Sequence, residues 1–210
     1  MKGIYLVTDQ AACIHHPLET VVAKAVQAGV CCVQLREKAL DTRTFLERAL
    51  ALKAILAPAR VPLIINDRLD IALAAGIDGV HIGQSDMPYA HARKLLGSNA
   101  IIGLSVETWD DVTEAQDLDV DYIGVSPVFS TPTKTDTKVP WGLEGLERIK
   151  GYSRHPLVAI GGLNQTNIDP VIRAGAQSIA VVSATCSARD PFAATQTLCS
   201  CFEQAYNPQT

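Results

Sequence analysis

The sequence predicts an α/β protein that folds as a single (β/α)8 TIM barrel spanning residues 1–210. Three observations support this prediction: short β-rich apolar runs alternate with helical patterns along the whole chain, the runs number eight, and they are apolar enough to be covered on both faces. The predicted strands cover residues 4–9, 31–36, 62–67, 79–83, 101–106, 122–128, 157–162 and 178–184.

The segments between the predicted strands contain helix signals. Apolar residues across 18–26 repeat at the spacing of one helical face. Thr108 with Asp111 matches a capping box, and Asp190 precedes a proline suited to a first helical turn. Glycine, the usual left-handed residue after a helix, follows predicted helices at Gly29, Gly76 and Gly175.

A doubly wound open sheet is the alternative fold. Its usual evidence is a G-x-G-x-x-G turn after the first strand, but residues 8–11 read Thr-Asp-Gln-Ala. The closed barrel is therefore the better interpretation.

Composition excludes several classes of partner. The chain has 210 residues, 48% of them hydrophobic, and a formal net charge of -4. A sequence pI of about 5.7 gives no basic excess for a nucleic acid or an anionic membrane. The first apolar run is too short for a signal peptide, and no run of membrane-spanning length occurs. We expect a cytoplasmic protein that acts on small molecules, while the sequence leaves its oligomeric state open, a homo-oligomer included.

The cysteines do not predict a zinc site or a disulfide framework. They form no CxxC pair and lie within strand-like or helical patterns, which favours free buried thiols. The six are Cys13, Cys31, Cys32, Cys186, Cys199 and Cys201.

Polar side chains collect where the predicted strands end, and in a parallel barrel that edge holds the chemistry. At the second strand, Gln34, Arg36 and Lys38 alternate onto one face. The next two strands end in Asp67 and Asp86, and two carboxylates near cations suit Mg²⁺ with a bound phosphate. The alternative is that each aspartate caps the helix that follows it.

Two later regions predict anion contacts. A long polar loop, residues 126–136, contains Lys134 among hydroxyl side chains, and a loop of this length in a compact barrel is often functional. The seventh and eighth strands end in Gly161-Gly162 and Val182-Ser183, where barrels of this kind frequently bind phosphate.

Two other patterns are weak. The segment around Ser105 is not a nucleophile elbow, because Glu107 stands where that motif requires glycine. Among the histidines only His81 lies on a predicted strand, and a packed or hydrogen-bonded role is favoured there over a ligand or base.

Taken together, the motifs resemble the thiamine-phosphate synthase family over nearly the whole chain. Each is modest alone, but their order and their shared position at strand ends are specific. The matching segments are residues 5–9, 34–38, 66–67, 83–86, 131–134, 161–162 and 182–183, with Ser105.

The resemblance implies a transferase that joins a pyrimidine diphosphate to a thiazole phosphate. It implies that Asp67 and Asp86 bind Mg²⁺, and that Arg36, Lys38, Ser105 and Lys134 are catalytic. The residues implied for the pyrimidine diphosphate are Gln34, Leu35, Arg36, Glu37, Lys38, Asn66, Ser105 and Lys134. Those implied for the thiazole phosphate are Thr131, Pro132, Thr133, Gly162, Val182 and Ser183.

Two rival functions fit the same barrel. A thiazole tautomerase would handle the thiazole phosphate alone and would have no diphosphate to expel, so the acidic pair and the lysines would be surplus. A phosphate-ligand sensor without catalysis would need a phosphate cradle but not the full set of cations and metal ligands.

Overall fold

The computed structural model describes residues 1–131 and 138–207, and within them eight parallel strands close into a barrel. Each strand pairs with its neighbour in sequence, and β1 pairs with β8 to close the ring. The (β/α)8 prediction is confirmed. The strands are β1 Gly3–Val7, β2 Cys32–Leu35, β3 Leu63–Asn66, β4 Gly79–Ile82, β5 Ile101–Val106, β6 Tyr122–Val125, β7 Leu157–Ile160 and β8 Ser178–Val181.

Helices follow the strands and surround the barrel. Every strand except β5 is shorter than predicted. The difference is largest where the chain leaves the strand ladder at the barrel mouth: β6 ends at Val125, and β8 ends at Val181 before α8 begins at Ser183. The helices are α1 Leu18–Gln27, α2 Thr42–Leu56, α3 Leu69–Ala75, α4 Tyr89–Leu96, α5 Trp109–Ala115, α6 Gly142–Tyr152, α7 Ile168–Arg173, α8 Ser183–Cys186 and α9 Pro191–Tyr206.

The helix ends follow the capping chemistry of the sequence. Thr108 and Asp111 form the predicted capping box at the start of α5. The Asp190 carboxylate accepts a hydrogen bond from the Ala193 N–H and so caps α9. Gly76, at the end of α3, adopts a left-handed conformation with φ of 58°.

Strand side chains alternate between two buried layers. The outer layer packs the strands against the helices and forms the larger apolar core. The inner layer fills the barrel itself, as in other packed barrels of this type. Its apolar members are Tyr5, Val7, Cys32, Ile64, Tyr122, Val158 and Ala180. The inner layer lies directly beneath the polar residues at the mouth of the barrel.

All six cysteines are free thiols, as predicted, although the predicted burial is found only in part. Cys32 and Cys186 are buried, while the other four are partly exposed. Across residues 1–131 and 138–207, every helix is too short or too polar to cross a membrane.

Candidate active site

A cavity of about 930 Å³ opens at the carboxyl-terminal ends of the strands. It is the size of a typical small-molecule site and lies on the face where barrels of this type place their chemistry. Eleven of the residues predicted from the sequence line it: Gln34, Arg36, Lys38, Asn66, Asp67, Asp86, Ser105, Thr131, Gly162, Val182 and Ser183.

The cations and carboxylates of β2, β3 and β4 meet on one side of this cavity. The Lys38 ammonium donates a hydrogen bond to the Asp67 carboxylate, with 2.5 Å between Nζ and Oδ2. Arg36 is held nearby, since its backbone N–H donates to the Thr8 hydroxyl at 3.1 Å. An anion bound here would therefore meet two cations on one strand end.

Asp67 owes its position to an unusual backbone conformation. Its φ of 61° lies in the left-handed region, which aspartate tolerates better than most residues. The conformation is held by hydrogen bonds from the Asp67 N–H to the His81 carbonyl and from the Arg68 N–H to the Asn66 carbonyl. Backbone of this kind tends to occur at functional sites, where the surrounding structure maintains it.

Asp67 and Asp86 lie close enough to affect each other's ionisation. The pKa of Asp86 is raised, first by burial and then by hydrogen bonding to and repulsion from Asp67, although the Gly83 N–H opposes the shift by donating to Asp86 Oδ2 at 2.7 Å. Neither aspartate caps a helix, since α3 and α4 begin after Arg68 and Pro88. Two adjacent carboxylates that repel each other fit a hard divalent cation such as Mg²⁺.

Two further polar groups face the cavity from neighbouring strands. Asn66 is buried, and its side-chain Nδ2 has no hydrogen-bond partner in the described structure. A buried donor without a partner costs free energy, which a ligand acceptor would recover. The Ser105 hydroxyl is hydrogen-bonded to His81 Nε2 at 2.8 Å, and this bond fixes its position in the cavity wall.

The glycines after β7 allow close packing of the opposite wall. Gly162 has φ of 67°, and an added Cβ would lie 2.7 Å from the Ser130 carbonyl oxygen. A Cβ on Gly161 would lie 2.7 Å from the Cβ of Pro127. Both positions therefore require glycine, and both line the cavity with Val182 and Ser183.

Two predicted contacts have side chains that lie elsewhere. Leu35 is fully buried in the outer layer between strands and helices. The Glu37 carboxylate, mostly buried, forms an ion pair with Arg48. Neither residue lines the cavity.

Three predicted site residues, Pro132, Thr133 and Lys134, lie outside the described residues. Their contacts with substrate stay predictions from the sequence.

Several cavity residues were not predicted as site residues. Tyr5, His81, Glu107, Tyr122 and Lys138 all line the cavity. His81 is hydrogen-bonded through both ring nitrogens, as the sequence favoured, but it also faces the site. The alternation of side chains along a strand could have predicted two of them. His81 is two residues after Gly79, and Glu107 is two residues after Ser105, so both occupy inward-facing positions.

Comparison with known proteins decides the family. Residues 4–185 match the family described as thiamine monophosphate synthase. The chain belongs to the thiamine monophosphate synthase family. A thiamine-phosphate synthase of Albidiferax ferrireducens is 59% identical over 188 residues, which cover 90% of this chain and 86% of that protein. One from Leptospira biflexa is 54% identical over 202 residues, covering 94% and 96%.

A solved structure supports the same family. The thiamine phosphate pyrophosphorylase of Pyrococcus furiosus superimposes with a TM-score of 0.89 and 35% identity, covering 98% of this chain and 97% of that one. The family resemblance drawn from the strand-end motifs is thereby confirmed. Thiamine monophosphate synthase family membership favours the transferase over the tautomerase and the sensor.

Proposed function

We propose that this transferase condenses 4-amino-2-methyl-5-(diphosphooxymethyl)pyrimidine with a thiazole phosphate, carboxylated or not, to give thiamine phosphate and diphosphate. One observation supports this most strongly: a single cavity contains a cation pair, a carboxylate pair and a separate glycine-lined wall. These three parts match a diphosphate, a divalent metal and a monophosphate. A tautomerase or a sensor would need only the last.

The leaving diphosphate would occupy the side formed by Arg36 and Lys38. The exocyclic C–O bond breaks, its electron pair leaves with the diphosphate, and the aminopyrimidine ring delocalises the positive charge left on carbon. Fixed cations that stabilise charge as it develops are usually a large part of catalysis. Lys134 is expected to add a third cation from the loop after β6.

Asp67 and Asp86 are the residues that would hold Mg²⁺. When bound, the metal would neutralise charge on the diphosphate oxygens. Lys38 already contacts Asp67, so the cation and the carboxylate are adjacent before any ligand arrives.

The thiazole phosphate would lie against Thr131, Gly162, Val182 and Ser183, with Pro132 and Thr133. Its ring nitrogen attacks the pyrimidine CH2 carbon with a lone pair and forms the C–N bond. That nitrogen has no proton to lose, so the reaction requires no general base. The protein's role is to position two substrates and to stabilise the leaving group.

Metal removal tests the proposal directly. We expect the protein to release diphosphate and form thiamine phosphate only when both substrates and Mg²⁺ are present, and EDTA to abolish turnover until excess Mg²⁺ is added. Metal-independent isomerisation of a thiazole phosphate without diphosphate release would instead support the tautomerase. Tight binding of either ligand without turnover would support the sensor.

A second measurement does not depend on turnover. Because the metal would bind the folded protein only, saturating Mg²⁺ is expected to raise Tm by about 5 °C. Ca²⁺-free and EDTA-treated protein serves as the reference. If neither Tm nor turnover changed across the Mg²⁺ titration, metal binding at Asp67 and Asp86 would be contradicted.

A further inference from the structure

A continuous chain of hydrogen bonds runs through the barrel beneath the cavity. Gln34 Nε2 donates to the Tyr5 hydroxyl at 2.9 Å, and the Tyr5 and Tyr122 hydroxyls are 2.9 Å apart. The Tyr122 hydroxyl lies 3.0 Å from His81 Nδ1, and His81 Nε2 lies 2.8 Å from Ser105 Oγ. Five side chains from five different strands thus link one wall of the site to another.

Two glycines provide the space for this chain. A Cβ on Gly103 would lie 2.1 Å from Cζ of Tyr122, and a Cβ on Gly124 would lie 2.9 Å from Cε1 of His81. The Tyr122 ring stacks on His81 with 5.6 Å between centroids and meets Tyr5 edge-on at 5.9 Å. The rings are therefore held by packing as well as by hydrogen bonds.

The chain has a direction, because its first member is a donor. The amide nitrogen of Gln34 can only donate, so the Tyr5 hydroxyl accepts from it, which favours donation of the Tyr5 O–H to the Tyr122 oxygen 2.9 Å away. The pKa values of Tyr5 and Tyr122 are both raised well above the usual range, chiefly by burial, so both hydroxyls keep their protons. In that direction the Tyr122 O–H donates to His81 Nδ1.

The remaining steps concern His81 and Ser105. A neutral imidazole whose Nδ1 accepts must carry its proton on Nε2. That Nε2–H donates to Ser105 Oγ, so the serine hydroxyl hydrogen is left to point into the cavity. The direction set at Gln34 thus reaches the substrate site four hydrogen bonds away.

We propose that His81 is a positioning residue: it is held as the Nε2–H tautomer by the Gln34–Tyr5–Tyr122 chain, and it makes Ser105 a hydrogen-bond donor to a ring nitrogen of the pyrimidine. The inference rests on the proposed function for the identity of the ligand. It adds a specificity rule, since a ring nitrogen accepts a hydrogen bond and a C–H at the same place does not. A deaza analogue of the pyrimidine diphosphate should therefore bind less well.

The tautomer can be measured by ¹⁵N NMR of histidine-labelled protein at neutral pH. We expect the His81 resonances to show a protonated Nε2 and an unprotonated Nδ1, with His81→Gln used for assignment. His155 is an internal reference, because its Nε2 lies 2.8 Å from the Ala115 carbonyl, which can only accept. A protonated Nδ1 on His81 would mean that the chain runs the other way, and it would overturn the proposal.

Kinetics give an independent test through Tyr122→Phe, which keeps the ring and removes the donor to His81. Losing one buried hydrogen bond is expected to raise KM for the pyrimidine diphosphate about tenfold, with KM for the thiazole phosphate unchanged. The control is His155→Gln, a buried histidine outside the cavity, for which both KM values should stay at wild type. Rates are taken per folded protein, measured by circular dichroism.

The outcomes separate this proposal from the proposed function. Unchanged KM values in Tyr122→Phe, or equal changes for both substrates, would show that the chain does not position the pyrimidine. If wild-type protein formed no thiamine phosphate, the proposed function would fail, and the NMR tautomer would still decide the state of His81.

Discussion

Asp67→Asn is expected to lower kcat by about two orders of magnitude or more, because it removes a proposed metal ligand and the partner of Lys38 together. The fold should survive, since Asp67 lies at the mouth and asparagine also tolerates its left-handed backbone. The measurement is diphosphate release at saturating substrates, with Tm recorded beside it. The Mg²⁺-induced rise in Tm should disappear in the same variant.

The matched control for this change is Asp70→Asn. Asp70 lies three residues further on, in the first turn of α3; it is exposed, pairs with Arg68 just before that helix, and does not line the cavity. We expect wild-type turnover and an intact Mg²⁺ response. If Asp67→Asn turned over at the wild-type rate, the metal-ligand assignment would be wrong.

Gly103→Ala is expected to destabilise the fold by roughly 3 kcal/mol and to lower Tm by about 10 °C. The added methyl group would lie within 2.5 Å of three atoms of the Tyr122 side chain, two in the ring and the hydroxyl oxygen, and this side chain is fully buried and cannot swing away. Displacing that ring would also break its contacts with Tyr5 and His81. We expect the pyrimidine diphosphate to bind less tightly in whatever protein remains folded.

The same substitution at Gly151 provides the comparison. Gly151 lies in α6, and an added Cβ would meet nothing within 4 Å. Replacing a helical glycine with alanine should raise stability by between zero and about 1 kcal/mol. Equal Tm values for the two variants, measured by thermal unfolding, would argue against tight packing around Gly103.

The fold was largely predictable because eight apolar runs alternate with helical patterns, and a parallel barrel is what such repetition favours. The ends of the strands could not be predicted in the same way. The sequence stays apolar after β6 and β8 have ended, as at Val128 and Val182, so hydrophobicity does not mark where strand pairing stops. That the whole chain acts as one domain stays a prediction.

The site was partly predictable for a geometric reason. Strand ends meet at one edge of a parallel barrel, so Arg36, Lys38, Asp67 and Asp86 could be expected together. Alternation along the second strand puts Leu35 on the face opposite Gln34 and Arg36, and the structure places it in the outer layer. The assignment of these residues to particular substrates stays a prediction.

The hydrogen-bond chain beneath the cavity could not be predicted from the sequence. A tyrosine or histidine in an apolar strand is indistinguishable from a packed core residue until its partners are known. The partners of Tyr122 come from β1 and β4, and nothing local to β6 indicates them. The left-handed conformation of Asp67 was equally hidden, because aspartate after a strand has several ordinary roles.

Gly103 and Tyr122 stand opposite each other in the pairing of β5 and β6, and they share one volume inside the barrel. Evolution can therefore not vary them independently: a homologue with a side chain at the first position must carry a smaller residue at the second. The two sites should covary across the family. An engineer who adds a side chain at position 103 would have to shrink position 122 in the same step, and would lose the tyrosine hydroxyl in doing so.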